Sequence, residues 1–247
     1  VHRPVRGGRR VIETRKAVDG DPTFGDTWVY ESLVGGIPGL DLSTRQAIGI
    51  QFLLFETLVV GLTVGYGLPS AALLAGTVAV AVAAAGSVAM LYIGAATREL
   101  AFPDAHRRLL FGAGVETLFG VLGFAAAVTY LLTATGPTPF ETLVGGRPPA
   151  PVTFVTLLIL WDLCYRIGTS WWTALVSLWR SLRYRAAPGA ARRCRRIDAA
   201  NVGFAFLELA LLPFVLGWPL LVWALMGHVA AVTAVSTAAM LLLRTES

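Results

Sequence analysis

Six long apolar runs dominate this chain of 247 residues and decide what it can become. Ala47–Leu68, Ala71–Thr97, Leu109–Leu132, Val152–Trp179, Ala199–Gly217 and Leu220–Leu243 each approach or exceed the ~20 apolar residues that cross about 30 Å of hydrocarbon as a helix. A backbone at that depth satisfies its polar groups only as a helix or as a closed barrel. Runs of this length select the helix. The composition agrees. Only 14% of residues are charged and 55% are apolar, with mean hydropathy +0.67, whereas soluble domains carry about 25% charged residues. The predicted fold is an all-α membrane protein, a bundle of six transmembrane helices with both termini cytoplasmic and a short interfacial helix before the first span.

Breaks and charges divide the runs consistently. Gly67-Leu68-Pro69-Ser70 and Gly217-Trp218-Pro219 are tight, uncharged turns, and Pro213 is expected to kink the fifth span. The net charge of +5 is almost all arginine, with Lys16 the one lysine. Arg3, Arg6, Arg9, Arg10 and Arg15 crowd the N-terminal arm, and Arg45 marks the membrane edge. Arg98, Arg107 and Arg108 follow the second span. Arg180, at the end of the fourth span, is followed by Arg183, Arg185, Arg192, Arg193, Arg195 and Arg196. The opposite loops hold only Arg147. The positive-inside rule then places both termini in the cytoplasm of a multi-pass cell-membrane protein.

Residues 1–23 read as a disordered basic arm, residues 24–44 as an interfacial segment and residues 45–247 as the six-helix domain. Trp28, Tyr30, Leu33 and Ile37 recur at near-helical spacing, as on a helix lying in the membrane surface. Residues 1–44 lack a secretory leader pattern, so the first span is expected to act as an uncleaved signal anchor. The nonapeptide Tyr30–Pro38 is echoed by Phe140–Pro148, 110 residues later. The echo raises an inverted repeat of three spans each; a chance match in a low-diversity sequence is the competing account.

Ionisable groups inside the runs are the functional clue. Glu56, Glu116, Asp162 and Glu208 lie at depths where a carboxylate costs roughly 2.5–3.5 kcal/mol even on the lenient insertion scale. At 1.5 Å per residue from the flanking arginines, Glu56, Glu116 and Glu208 fall roughly 12–18 Å deep, in one midplane layer. Asp162, Arg166 and His228 fall in a second, outer layer, roughly 21–27 Å from the cytoplasmic edge. Asp162, Arg166, Thr169, Thr173, Ser177 and Arg180 share one helical face. Asp162 and Arg166, four residues apart, are placed to pair.

Two readings follow. In the first, the three glutamates form an acidic pathway, Asp162–Arg166 gates it and His228 is an outer relay, in a small secondary transporter or channel-like protein for protons, cations or a small polar solute. In the second, the same groups are interhelical polar contacts in a structural or regulatory membrane protein without transport. Its basic loops then bind lipid or a cytoplasmic partner. Gly112, Glu116 and Gly120, and likewise Ala75, Ala79, Ala83 and Ser87, form small-residue stripes expected to pack helices closely.

No HExxH, P-loop or GxSxG pattern occurs, and one deep aspartate does not make an aspartyl-protease pair. No enzyme activity, catalytic residue, cofactor or metal site is expected. Cys164 and Cys194 imply no disulfide framework. The bilayer itself is the expected partner, with anionic headgroups at the cytoplasmic arginines and no nucleic acid.

Thr27-Trp28-Val29-Tyr30-Glu31-Ser32 and Trp161-Asp162-Leu163-Cys164-Tyr165-Arg166-Ile167-Gly168 resemble small uncharacterised multi-span membrane proteins of archaea, salt-loving ones among them. The resemblance covers about a tenth of the chain and implies no activity. The basic charge departs from the acidity usual in halophile proteins.

Overall fold

The computed structural model describes residues 11–12, 28, 43–112 and 114–246. Among these, six helical stretches are long and apolar enough to cross a membrane: Arg45–Tyr66, Ser70–Arg98, Asp104–Thr133, Ala150–Arg183, Pro188–Phe214 and Pro219–Leu242. They comprise helices α1 (Thr44–Tyr66), α2 (Ser70–Arg98), α3 (Asp104–Phe111), α4 (Val115–Thr133), α6 (Ala150–Arg183), α7 (Pro188–Leu207) with its 3-10 extension Glu208–Phe214, and α8 (Pro219–Leu242). The short helix α5 (Pro139–Val144) lies between the third and fourth spans.

Local chemistry explains the boundaries. Ser43 caps α1, with Gln46 closing a capping box, and Gly67 ends it in the left-handed region at φ 61°. The third run, expected to be unbroken, is divided into α3 and α4 across Gly112 and Gly114. Gly114 adopts φ 62°, a conformation that interrupts a helix and suits glycine. The fifth helix begins at Pro188, eleven residues before the expected start at Ala199. Proline suits the first helical turn, and the Ala/Arg-rich stretch behind it propagates a helix well. Arg192, Arg193, Arg195 and Arg196 therefore lie on a helix rather than in an open loop. Pro213 lacks the N–H that a regular α-turn needs, and the chain around it tightens to a 3-10 helix.

Helix α6 is the axis of the bundle and packs against α1, α2, α3, α4, α7 and α8. Its 34 residues span about 51 Å, longer than the hydrocarbon, so one end projects beyond it. At α4 the approach is closest. A methyl group on Gly168 would lie 2.6 Å from the Gly120 backbone nitrogen, and one on Gly120 would lie 2.9 Å from Tyr165 Cα. The expected small-residue seam is thus present at Gly120, while Gly112 is exposed.

A compact cap closes the end of the bundle that carries Arg180. Strand β1 (Val11–Ile12) pairs in parallel with β2 (Arg185–Ala186). Ala186 also donates its N–H to Arg244 O and accepts from Glu246 N–H. Residues 11–12, 185–187 and 244–246 therefore meet at one end. Ile12, Trp28, Leu100, Phe102, Leu110, Phe111, Tyr184 and Leu243 form a buried cluster beneath them. Val11 and Ile12 were expected to be disordered and instead form a strand, because burying Ile12 completes that cluster. Trp28, expected on a membrane-surface helix, is fully buried. Its indole donates to Leu110 O at 3.2 Å and meets Phe111 edge to face. The rest of the arm and of the expected interfacial helix, including Tyr30–Pro38, lies outside the described residues.

Candidate functional site

The sequence places a polar stripe along α6, and the structure turns it inward. Arg166, Thr169, Thr173, Ser177 and Arg180 are each at most 5% exposed. Arg166 grips Asp162 in a fork: Nη2 donates to Oδ1 at 2.7 Å and Nε to Oδ2 at 3.1 Å. Gly86 on α2 makes the room, since a methyl there would lie 2.5 Å from Arg166 Cδ. Arg166 Nη1 also approaches the Met90 sulfur at 3.7 Å.

A second polar stripe meets the first from α7. Asp198 receives Arg180 Nη2 at 2.6 Å in an ion pair buried on both sides. Asn201 donates its amide to Ser170 O at 3.0 Å. Sequence reading missed both residues. Asp198, Asn201 and Glu208 follow helical spacing (with Ala205 between them), and that signal was cut by starting the span at Ala199. Arg180 is accordingly not a free surface cation; it neutralises a buried carboxylate.

The three glutamates occupy different helix seams. Glu56 Oε1 accepts from Thr77 Oγ1 at 2.7 Å, joining α1 to α2. Glu116 sits in the first turn of α4, fully buried, and its backbone carbonyl faces Gly168 of α6. Neither of its carboxyl oxygens has a hydrogen-bond partner among the described residues. The positive end of the helix dipole favours negative charge there. Glu208 lies at the start of the 3-10 segment, with Oε2 2.9 Å from His228 Nε2 of α8. That contact is at ion-pair distance but lacks the alignment of a hydrogen bond. Trp171 meets the His228 ring edge to face at 6.1 Å.

This arrangement corrects the two-layer picture. Glu208 and His228, assigned to separate depths, touch each other. The two assigned depths differ by only about 6 Å, a gap that a glutamate and a histidine side chain reaching toward each other close. Asp162 and Arg166 pair as expected.

Two cavities lie elsewhere. A cleft of about 290 Å³ is bounded by α1, α2, α5, α6 and the 3-10 segment, and none of its lining residues is charged. Val59, Leu62, Phe140, Leu143, Val155 and Phe214 are among them. A smaller pocket of about 20 Å³ reaches Asp162 and Gln51 between α1, α2 and α6. Neither is lined by Glu56, Glu116, Glu208 or His228.

Helix α5 roofs the larger cleft. Thr138 caps it: its hydroxyl oxygen accepts from Glu141 N–H at 3.2 Å, and Glu141 Oε2 accepts from Thr138 N–H at 2.9 Å. These bonds, from the Thr138 backbone first and its hydroxyl second, hold the Glu141 carboxyl below its ordinary pKa. Gly145 ends α5 at φ 83°, beside Pro69.

On the capped end, Arg183, Arg185, Arg192, Arg195, Arg196 and Arg244 are exposed. Arg193 pairs with Glu99, and Arg195 donates to Met240 O at 3.2 Å. Among the described residues, no group of three or more His, Cys, Asp or Glu side chains could hold a metal ion. Both cysteines are free and buried.

No curated protein and no solved structure matches the chain. A family model matches residues 23–239 and thus includes all six spans up to Ala239. The family has no assigned activity, in keeping with the expected resemblance to an uncharacterised family. The chain belongs to the family of unknown function DUF7530.

Proposed function

We propose that this is a multi-pass protein of the cell membrane that acts structurally or as a regulator, without transport and without a catalytic step. The capped end faces the cytoplasm, so that both termini are cytoplasmic. Its exposed arginines bind anionic lipid headgroups, each contributing about 1 kcal/mol near the surface. One observation carries the reading. The membrane-depth carboxylates are distributed over separate helix seams, and three of the four have a local protein partner: Asp162 with Arg166, Glu56 with Thr77, Glu208 with His228. A conducting path needs such groups to converge on a polar cavity, and the large cleft is apolar.

A second reading, the small transporter or channel-like protein for protons, cations or a small polar solute, is favoured by Glu116 and Glu208. A fully buried carboxyl with neither oxygen hydrogen-bonded is the kind of group that exchanges a proton or binds a cation. A flux assay in proteoliposomes separates the two. Wild type, Glu56→Gln, Glu116→Gln and Glu208→Gln are expected to match empty vesicles for protons, sodium and potassium. Flux above that baseline that disappears in Glu116→Gln would establish transport. Topology is tested by a cysteine at Ser247, with buried Cys164 and Cys194 as quiet background. Labelling from the outside of intact cells would overturn the orientation.

A further inference from the structure

We propose that the cleft beneath α5 is a binding site for one acyl chain of a bilayer phospholipid. Its chemistry admits hydrocarbon and little else. The lining is aliphatic and aromatic apart from Thr63 and Thr156, and the Thr63 hydroxyl is already committed to Val59 O at 2.8 Å. Apolar cavities stay dry, so water is not the occupant. An unfilled cleft would leave its walls without dispersion partners on one side.

Location supplies the source. The walls are three membrane spans and the 3-10 segment, and the neighbouring outer faces expose Leu58, Val60, Val64, Leu74, Leu158 and Leu216. A site bordered by lipid-facing side chains is filled from the lipid phase. The volume fits a chain rather than a headgroup. A cavity of about 150 Å³ holds the six carbons of benzene, so about 290 Å³ takes roughly ten to twelve carbons on the same scale.

The small-residue stripe on α2 shows how the space is made. Ala83 and Ser87 are buried in helix contacts, as that stripe predicts. Ala79 and Ala75, one and two turns earlier, line the cleft instead, together with Ala72 and Gly76. The alanines there leave a slot, while Gly76 lets Val59 of α1 come close, where a methyl would lie 2.6 Å from Val59 Cγ1. Helix α5 completes it by turning Phe140 and Leu143 onto the slot, held at one end by the Thr138–Glu141 box and at the other beside Pro69.

The proposal rests on the six helices being membrane spans, not on the absence of transport, so the flux assay and the following test fail independently. The full-length protein is reconstituted with a phosphatidylcholine carrying a diazirine near the end of one acyl chain, irradiated, and its labelled peptides are mapped. Labelling is expected to concentrate on the cleft-lining Val59, Leu62, Thr63, Phe140 and Leu143, and to fall by roughly tenfold there when Ala72→Phe or Thr156→Trp occupies the pocket volume. Labelling of the outward residues Leu54 and Leu118 is expected to be unchanged in those variants and serves as the folding control. Wild-type labelling that is no greater at the cleft than at Leu54 and Leu118 would overturn the proposal. So would cleft labelling that persists undiminished in a folded variant.

Discussion

Gly168→Ala is the sharpest test of how the bundle is held. A methyl at this position would meet three backbone atoms of α4: Gly120 N at 2.6 Å, Glu116 O at 2.9 Å and Phe119 C at 3.0 Å. Backbone atoms cannot rotate away as a side-chain tip can. Ordinary contact begins near 3.4 Å, so α4 and α6 must separate by about 0.8 Å along that line. Overpacking of this kind costs typically 1–3 kcal/mol. Alanine's better helix propensity offsets up to about 1 kcal/mol of that. The net expectation is a loss of up to about 3 kcal/mol against wild type, and of about 1–3 kcal/mol against an alanine elsewhere in the helices that gains the same propensity. Gly120→Ala presses on the same seam through Tyr165 Cα at 2.9 Å. The two substitutions strain one shared contact, so the double variant should lose less than the sum of the singles. Gly123→Ala is the internal control, because its methyl would meet the Cys164 side chain at ordinary distances, Cβ at 3.8 Å and Sγ at 4.0 Å. Reversible unfolding in mixed micelles, followed by tryptophan fluorescence, reads all four variants. Gly168→Ala as stable as Gly123→Ala would refute the close approach of α4 to α6. It would also undo the placement of Glu116 against that seam.

Other outcomes follow from the same geometry. Asp198→Ala leaves Arg180 buried without its carboxylate and should cost about 3–5 kcal/mol, whereas Arg180→Met with Asp198→Leu should recover most of it; equal losses in both would show that the pair is not isolated from water. Trp28→Phe removes the indole donor from Leu110 O and should cost about 1 kcal/mol, read by thermal unfolding of the full chain; no change in melting temperature would place Trp28 outside the cap. The Glu141 carboxyl is held below its ordinary pKa in the folded protein. Its capping contribution is therefore present above the unfolded value near 4.5 and lost as pH falls through the lower folded value. Hydrogen exchange at α5 should accelerate over that acidic range in wild type and be pH-insensitive, beyond the intrinsic rate, in Glu141→Gln. A wild-type profile identical to the variant's would remove Glu141 from the cap.

Much of this architecture was legible because membrane burial writes itself in one dimension. Six spans, the turns at Gly67–Ser70 and Gly217–Pro219, and the i,i+4 pairing of Asp162 with Arg166 all depend on neighbours within a few residues. The α7 stripe of Asp198, Asn201 and Glu208 was legible too, but only across a boundary drawn too late. The division at Gly112–Gly114 had a visible signal in its two glycines. Nothing local distinguishes a glycine that packs a helix from one that interrupts it.

The sequence by itself determined that this is a bundle of membrane-length helices and which face of α6 is polar. Local periodicity and the cost of exposed backbone in hydrocarbon are sufficient for that. Only the tertiary structure decided which deep groups meet. Glu208 finds His228 because α7 with its 3-10 extension packs against α8. Arg180 finds Asp198 because α6 and α7 pack against each other along their polar faces. Ala75 and Ala79 border a cleft while Ala83 and Ser87 close a seam, on the same stripe of one helix. Each of these turns on ångström-scale separations between helices distant in sequence, and such separations are set by the packing of the whole bundle rather than by any one segment of it.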